Sequence, residues 1–352
     1  TGNAPTMLRP HFNANYQASQ AAFGGWWRGE RVPANEATRF LFARSTESGV
    51  HATRCDYSGQ FRFRDVPSPI VSSSVRDVLL LPGEEGATTL IVDRVRTSAA
   101  YGDTPHPLLL RFRALNTWAQ DGDAATTQEG GSQLTVRRVL GDANMDVEAI
   151  PVGECDGDRG VCRAGRFASS ELSVEVDGPN PFAVHALDAD ATATTPAEIT
   201  VDTNDVVHAL RITRETRPYV VVFTEDGSSV DEYITPAAAS THVVLDPPAG
   251  ASVRVTATAS GDDCVVTLAA DAGGFASAPL VFALSDACAV TEDSTQPPVV
   301  IPGPPGPGRP PGGGGGDGCG CRVSAARGLP RGVSLIVSSV VFTLLARRRR
   351  PR

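Results

Sequence analysis

The sequence contains no lysine: all 31 basic residues are arginine. That excludes a phosphate-loop lysine, a Schiff-base lysine and every mechanism that depends on one, and it argues against nucleotide hydrolysis. Helical periodicity is also missing, because no segment repeats its apolar residues at the spacing of a helix face. The six histidines (His11, His51, His106, His185, His208 and His242) form no His-x-His or His-Glu-x-x-His pair, and no Cys-x-x-Cys occurs. A metal site could then be assembled only by the fold, and none is expected, nor any cofactor. No Gly-x-Ser-x-Gly elbow is present to anchor a Ser-His-Asp hydrolase. A basic stripe is lacking too, so nucleic acid is not an expected partner.

The chain is instead rich in short Val- and Leu-laden runs divided by Gly, Pro and Asp turns. The sharpest case is Arg76-Asp-Val-Leu-Leu-Leu-Pro-Gly-Glu-Glu-Gly-Ala-Thr-Thr-Leu-Ile-Val-Asp-Arg-Val95. It reads as a β-hairpin, with a first strand ending at Leu81 and a second beginning near Thr88, because Pro82 cannot donate to a ladder and Gly83 and Gly86 allow the reversal. Both runs are almost continuously apolar, which predicts strands in the middle of a large sheet and covered on two faces. Further strands are predicted at 39–44, 50–54, 60–64, 108–114, 133–139, 172–176, 182–187, 206–212, 219–224, 242–245, 252–258, 264–269 and 280–284, with a polar loop through Gln120-Asp-Gly-Asp-Ala. The expected fold is all-β: a large antiparallel two-sheet sandwich over residues 1–295, favoured over two small domains because strands continue across residue 150 without a linker.

Residues 1–150 carry 15 Arg against 16 acids, whereas residues 151–295 carry 7 Arg against 23. Any acidic polymer must therefore meet its arginines in the first half. Near the start, Trp26, Trp27 and Arg28 could stack on sugar rings and pair with a carboxylate; the competing reading is rings that cover one end of the sandwich. The acidic pairs Asp156 with Asp158, Asp188 with Asp190, and Asp202 with Asp205 lack the calcium-loop pattern and read as solvated turn residues. His185 and His208 lie inside predicted strands and read as structural.

Cysteine usage points outside the cytoplasm. Cys155 with Cys162, and Cys264 with Cys288, read as two local disulfides; buried free thiols are the alternative. After Asp293 the composition turns to Pro and Gly, a spacer over 296–318 that cannot bury a core. Cys319-Gly-Cys321, the apolar run Val333 to Ala346 and the cluster Arg347 to Arg350 follow. As a helix that run would reach roughly 21 Å, short of a hydrocarbon core of about 30 Å, and the Arg block would stay cytoplasmic.

This three-part order resembles a MYXO-CTERM sorting tail over residues 319–352. The resemblance implies transient or permanent membrane attachment, processing near Cys319 or Cys321, and an extracellular or cell-surface location. An ordinary short transmembrane anchor is the other reading. A second resemblance is carried by Thr1-Gly-Asn-Ala-Pro-Thr, Cys55-Asp-Tyr, Val75-Arg-Asp-Val-Leu-Leu-Leu-Pro, Leu90-Ile-Val-Asp-Arg-Val, Gln133-Leu-Thr-Val, Leu172-Ser-Val-Glu-Val and Phe182-Ala-Val-His-Ala-Leu. In this order they are similar to the C-terminal β-sandwich of heparinase II/III-like polysaccharide lyases, over about residues 1–290. That resemblance implies an upstream α/α toroid as partner, an anionic, uronic-acid-containing polysaccharide as substrate, and cleavage by β-elimination. Members commonly carry Ala-His-Asn-Thr where this chain has Gly2-Asn-Ala-Pro, without the histidine. No catalytic residue is therefore carried over to this chain, which the resemblance makes a part inactive alone. The alternative is a non-catalytic surface β-sandwich that binds carbohydrate or a protein.

Overall fold

The computed structural model describes residues 6–7, 26–27, 30–31, 39–58, 71–97, 108–114, 116–141, 143–149, 170–176, 180–190, 196–204, 206–250, 252–272 and 278–292. Among these residues every regular element is a strand, and there is no helix. In chain order the strands begin with β1 (Thr6–Met7), β2 (Trp26–Trp27), β3 (Glu30–Arg31), β4 (Arg39–Ser45), β5 (His51–Asp56), β6 (Val71–Pro82), β7 (Gly86–Thr97) and β8 (Leu108–Ala114). Next come β9 (Ala119–Asp121), β10 (Ala124–Glu129), β11 (Ser132–Leu140), β12 (Ala143–Ala149), β13 (Ser170–Val176) and β14 (Phe182–Asp190). The remainder are β15 (Glu198–Thr203), β16 (Val207–Arg214), β17 (Arg217–Thr224), β18 (Glu232–Pro236), β19 (Ser240–Val244), β20 (Val253–Ser260), β21 (Asp263–Ala270), β22 (Leu280–Leu284) and β23 (Val290–Glu292).

Two large sheets dominate, as the pattern of apolar runs predicts. An eight-stranded sheet has the order β4-β5-β6-β7-β14-β11-β10-β9, and a six-stranded sheet the order β15-β16-β17-β19-β22-β23. All their neighbours are antiparallel except β17 and β19, which run parallel. A four-stranded sheet (β1-β8-β13-β12) and a three-stranded sheet (β18-β21-β20) flank them, and β2 pairs only with β3.

Side-chain alternation along β7 explains how the layers stack. Leu90 and Val92 point into a core shared with Leu210, Ile212, Val221 and Phe223 of the six-stranded sheet. Ile91 and Val95 point the other way, into a core shared with Leu110, Phe112, Leu172 and Val174 of the four-stranded sheet. Both faces of the eight-stranded sheet are thus covered, which is why its central strands lack a polar face. The six-stranded sheet is covered likewise: Val220, Val222 and Phe282 meet Tyr233, Val266 and Leu268 of the three-stranded sheet. The resulting order of layers is four, eight, six and three strands. In β20 the inward Val253 and Val255 alternate with exposed Arg254, Thr256 and Thr258, the period of a strand wet on one face.

Strand β22 falls where the sequence pattern places it, while β6 and β7 begin and end at Val71 and Thr97 and overrun the expected turn-side limits of Leu81 and Thr88, reaching Pro82 and Gly86, because Pro82 still lies opposite Ala87 without having to donate. The expected polar loop through 120–124 is a correction: Gln120 and Asp121 belong to β9 and Ala124 to β10, and only Gly122, at φ +56°, and Asp123 form the turn between them. Strands β12, β15, β18 and β23 were also not apparent from apolar runs, because each is short or carries few large apolar residues and gains its order from a neighbour's ladder. The 60–64 strand, the spacer 296–318 and the tail 319–352 lie outside the described residues.

One expected disulfide is present: Cys264 of β21 is bonded to Cys288, which follows β22, and so ties the three-stranded to the six-stranded layer. With the partners 24 positions apart, it contributes about 3 kcal/mol by the chain-entropy argument. Cys155 and Cys162 lie outside the described residues.

Leu90 is fully buried between the two large sheets, whereas Leu41 on the edge strand β4 is 51% exposed. Leu90→Ala is expected to lower the unfolding free energy by about 2–5 kcal/mol, and Leu41→Ala by roughly 0.5 kcal/mol or less, in urea titrations followed by circular dichroism.

Candidate functional site

Charged residues inside the layers are the most distinctive chemical feature of the fold. Asp77 of β6 and Arg94 of β7 sit among apolar neighbours and face the six-stranded sheet, as does Arg54 of β5. Arg54 donates to Asp77 (Nε to Oδ1, 2.6 Å) and to Asp246 (Nη2 to Oδ1, 2.7 Å). Arg94 donates to the second oxygen of each, Asp77 Oδ2 at 2.5 Å and Asp246 Oδ2 at 2.7 Å. Two guanidiniums and two carboxylates therefore close a neutral ring between the sheets. Its attachment to the six-stranded layer is reinforced by Arg94 Nε donating to Thr224 O (2.9 Å) and Thr224 N donating to Asp246 Oδ2 (3.2 Å). Burial pulls the Arg54 pKa down, but the hydrogen bonds and negative charges of Asp77 and Asp246 more than reverse this and leave it raised.

A second cluster lies further along the same interface. Asp188 of β14 accepts from Thr88 Oγ1 (2.6 Å) and Arg137 Nη2 (2.8 Å), and Arg214 of β16 donates to Asp190. Asp188 and Asp190 are both buried, so their reading as solvated turn residues is corrected: they continue the alternation of β14 into the layer interface. Asp202, by contrast, is exposed and pairs with Arg211 at the surface (2.9 Å). On the other face of the eight-stranded sheet, Arg76 and Asp93 make a buried bidentate pair at 2.7 and 3.0 Å.

The histidines divide by environment. His242 is wholly buried, stacked on Phe282 with ring centroids 5.1 Å apart, and hydrogen-bonded to Tyr233 Oη (2.7 Å) and Ser240 Oγ (3.0 Å). Ser240 Oγ in turn donates to Ala238 O at 3.0 Å. One tautomer satisfies the whole chain: the tyrosine donates to Nδ1, Nε2–H to the serine, and the serine to the carbonyl. This is a Ser-His-Tyr constellation in outline, but its serine proton faces away from the imidazole, so it stiffens the layer and does not generate a nucleophile. Burial holds the His242 pKa down at about 4 and raises that of Tyr233. His185 is also fully buried, with neither ring nitrogen hydrogen-bonded, against Phe112 at 5.9 Å. Burial, helped by the charges of Arg76 and Arg138, pushes its pKa down to about 3. His208 stacks on Phe182 and reaches Glu225 at 3.3 Å. His185 and His208 are therefore structural, as the sequence implies.

Of the residues singled out for sugar binding, Trp26 and Trp27 form β2, paired with β3, and Arg28 lies outside the described residues. Cys319 and Cys321 lie outside them as well. The described arginine side chains of the first half already have partners within the fold. Arg44 bonds Pro279 O, Arg96 bonds Asp226 O, Arg138 bonds Asp123, and Arg54, Arg76, Arg94 and Arg137 are held in the clusters above. Among the described residues no group of three or more His, Cys, Asp or Glu is arranged to hold a metal, and no helix is long and apolar enough to cross a membrane. The interlayer clusters were missed in sequence, although a signal was there: Arg76-Asp-Val-Leu-Leu-Leu and Ile91-Val-Asp-Arg-Val both set charges inside apolar runs. The fold thus defines a stack of β-layers joined by internal ion pairs. No protein-family model matches the chain, and no curated protein matches it.

Removing one carboxylate from the closed ring leaves two guanidiniums sharing the other. Asp77→Ala is expected to cost about 3–5 kcal/mol in chemical denaturation, against about 1 kcal/mol or less for Asp202→Ala at the exposed pair. The histidines predict a pH dependence as well. The folded pKa values of His242 and His185 lie below the unfolded value of about 6.5, so the unfolded chain takes up protons first and stability falls as pH drops from about 6.5 towards 4 for His242 and 3 for His185. The loss is up to about 1.4 kcal/mol per pH unit for each ring. His185→Leu, which removes two unbonded buried nitrogens, is expected to be no less stable than wild type at pH 7 and to lose less stability between pH 6.5 and 4.5 in urea titrations.

Proposed function

We propose that this chain is a non-catalytic β-layered module displayed outside the cytoplasm, set away from the membrane by the spacer 296–318 and attached through the tail that begins at Cys319. The observation that carries this reading is the use of its ionisable side chains. The buried carboxylates Asp77, Asp93, Asp188, Asp190 and Asp246 each face an arginine, and His185, His208 and His242 are packed as core or stacking residues. Groups committed in this way hold layers together and are poorly placed to exchange protons with a substrate. The Cys264–Cys288 bond supports maturation in an oxidising compartment, and the Cys, apolar and Arg order of the tail supports envelope attachment. The module's role is then to present a surface to carbohydrate or protein.

A second reading, the accessory sandwich of a uronate lyase whose toroid lies upstream, is favoured by the ordered segments from Cys55-Asp-Tyr to Phe182-Ala-Val-His-Ala-Leu. Against it stands the burial of Arg54, Arg76 and Arg94, which among the described residues are committed to carboxylates inside the fold.

Two measurements on the native host separate these readings. Protease added to intact cells is expected to degrade the module, while a variant with both Cys319→Ser and Cys321→Ser loses its envelope attachment; protection of the wild-type module from protease would refute surface display. Incubation of this chain with glycosaminoglycans, alginate or pectate is expected to produce no ultraviolet-absorbing unsaturated uronate. The same product formed by a longer, toroid-bearing polypeptide would establish the lyase reading in place of the display module.

A further inference from the structure

The turns of two hairpins from different layers meet at one end of the interlayer seam. In the β16–β17 hairpin Arg214 pairs with Arg217 across a two-residue turn, and the first turn residue, Glu215, has φ +54°. A left-handed conformation costs a residue with a Cβ roughly 1–2 kcal/mol, so glycine or asparagine would suit the position better. The Glu215 side chain supplies the compensating contact. Its carboxylate reaches the β6–β7 turn and accepts from the backbone N–H of Glu84 and of Glu85, the latter at 3.1 and 3.3 Å, with Gly86 N–H contributing as well.

Successive backbone N–H groups converging on one point form an anion-binding nest. Here the floor of the nest is cationic. Arg214 is 1% exposed, its Nε lies 3.7 Å from Glu215 Oε1, and both Nε and Nη1 lack a hydrogen-bond partner. The cradle is also shaped for a carboxylate: a Cβ on Gly83 would stand 2.8 Å from Glu215 Oε1 and 2.9 Å from Arg214 Cγ, filling the space. The neighbouring Glu84 carboxylate accepts from Thr216 Oγ1 at 3.0 Å, and the Glu85 side chain is exposed.

We propose that the β6–β7 turn, with Arg214 beneath it, is a binding site for a single carboxylate: Glu215 fills it in cis, and a small free carboxylate takes its place when that side chain is removed. The held Glu215 pKa agrees with this arrangement: what burial there is would raise it, and the backbone donors and Arg214 bring it below the usual carboxylate range. The ligand class is a compact monocarboxylate, because the flanking Glu84 and Glu85 disfavour an anion of higher charge.

The test uses the full chain and two variants. Glu215→Gly removes the carboxylate while suiting the left-handed turn, and Glu215→Gln keeps the length but not the charge. Glu215→Gln is expected to melt roughly 2–4 °C below wild type for each kcal/mol lost, whereas Glu215→Gly also relieves the left-handed strain and serves as the empty site. Titration of Glu215→Gly with sodium formate to about 0.1 M, at ionic strength held constant with chloride, is expected to raise the melting temperature of that variant by about 2 °C or more with saturation, and to leave wild type unchanged. The proposal is overturned if chloride restores as much as formate, if wild type rises in parallel, or if Glu215→Gln melts with wild type.

Discussion

The ring of Arg54, Asp77, Arg94 and Asp246 sets the terms for the rest of the molecule, because four charges closed on one another between two β-layers tolerate no displacement. Compared with apolar residues of the same volume, such a ring gives little net free energy, since the desolvation of each ion offsets most of the attraction. Its effect is on alignment. Sliding the eight-stranded sheet over the six-stranded one by a single pair of residues would move the partners about 7 Å apart and leave unpaired charge in a medium of low dielectric. Apolar contacts across the same seam, such as Leu90 with Phe223, lack that directional demand.

Each further polar contact across the seam adds to the same constraint. Asp188 and Asp190 both face Arg214 of the six-stranded sheet, and Glu215 reaches the turn of the opposite hairpin. On the outer side of the six-stranded sheet the means are different: the Tyr233–His242–Ser240 relay and the Cys264–Cys288 bond fasten the three-stranded layer, which buries less apolar surface of its own. Small sheets need such supplements, because few strands present little area to cover.

Much of this layering was legible in the sequence where the chain is apolar throughout. The runs through Val78 to Leu81 and Leu90 to Val92 announced strands covered on two faces, and both cores meet there. Position among layers was not legible for polar residues. Asp188 and Asp190 look like turn residues because Asp is common in turns, and only their alternation with Leu187 and Ala189 in an extended run marked them as strand. Their partner Arg214 lies two strands later in the chain and in a different sheet, a relation that no local spacing encodes. Strands β9, β10 and β15 were hidden for a related reason. They sit at or near sheet edges, where the residues are polar and the pairing is dictated by β11 and β16.

Apart from the separate β2–β3 pair, the described strands up to β14 belong to the four- and eight-stranded layers and those from β15 onward to the six- and three-stranded layers, so among the described strands the chain changes from one half to the other once, between β14 and β15. A chain pulled between β1 and β23 would concentrate its load on that single passage and on the charged seam beside it. Backbone ladders running inside each half share that load with the apolar core that spans the two large sheets.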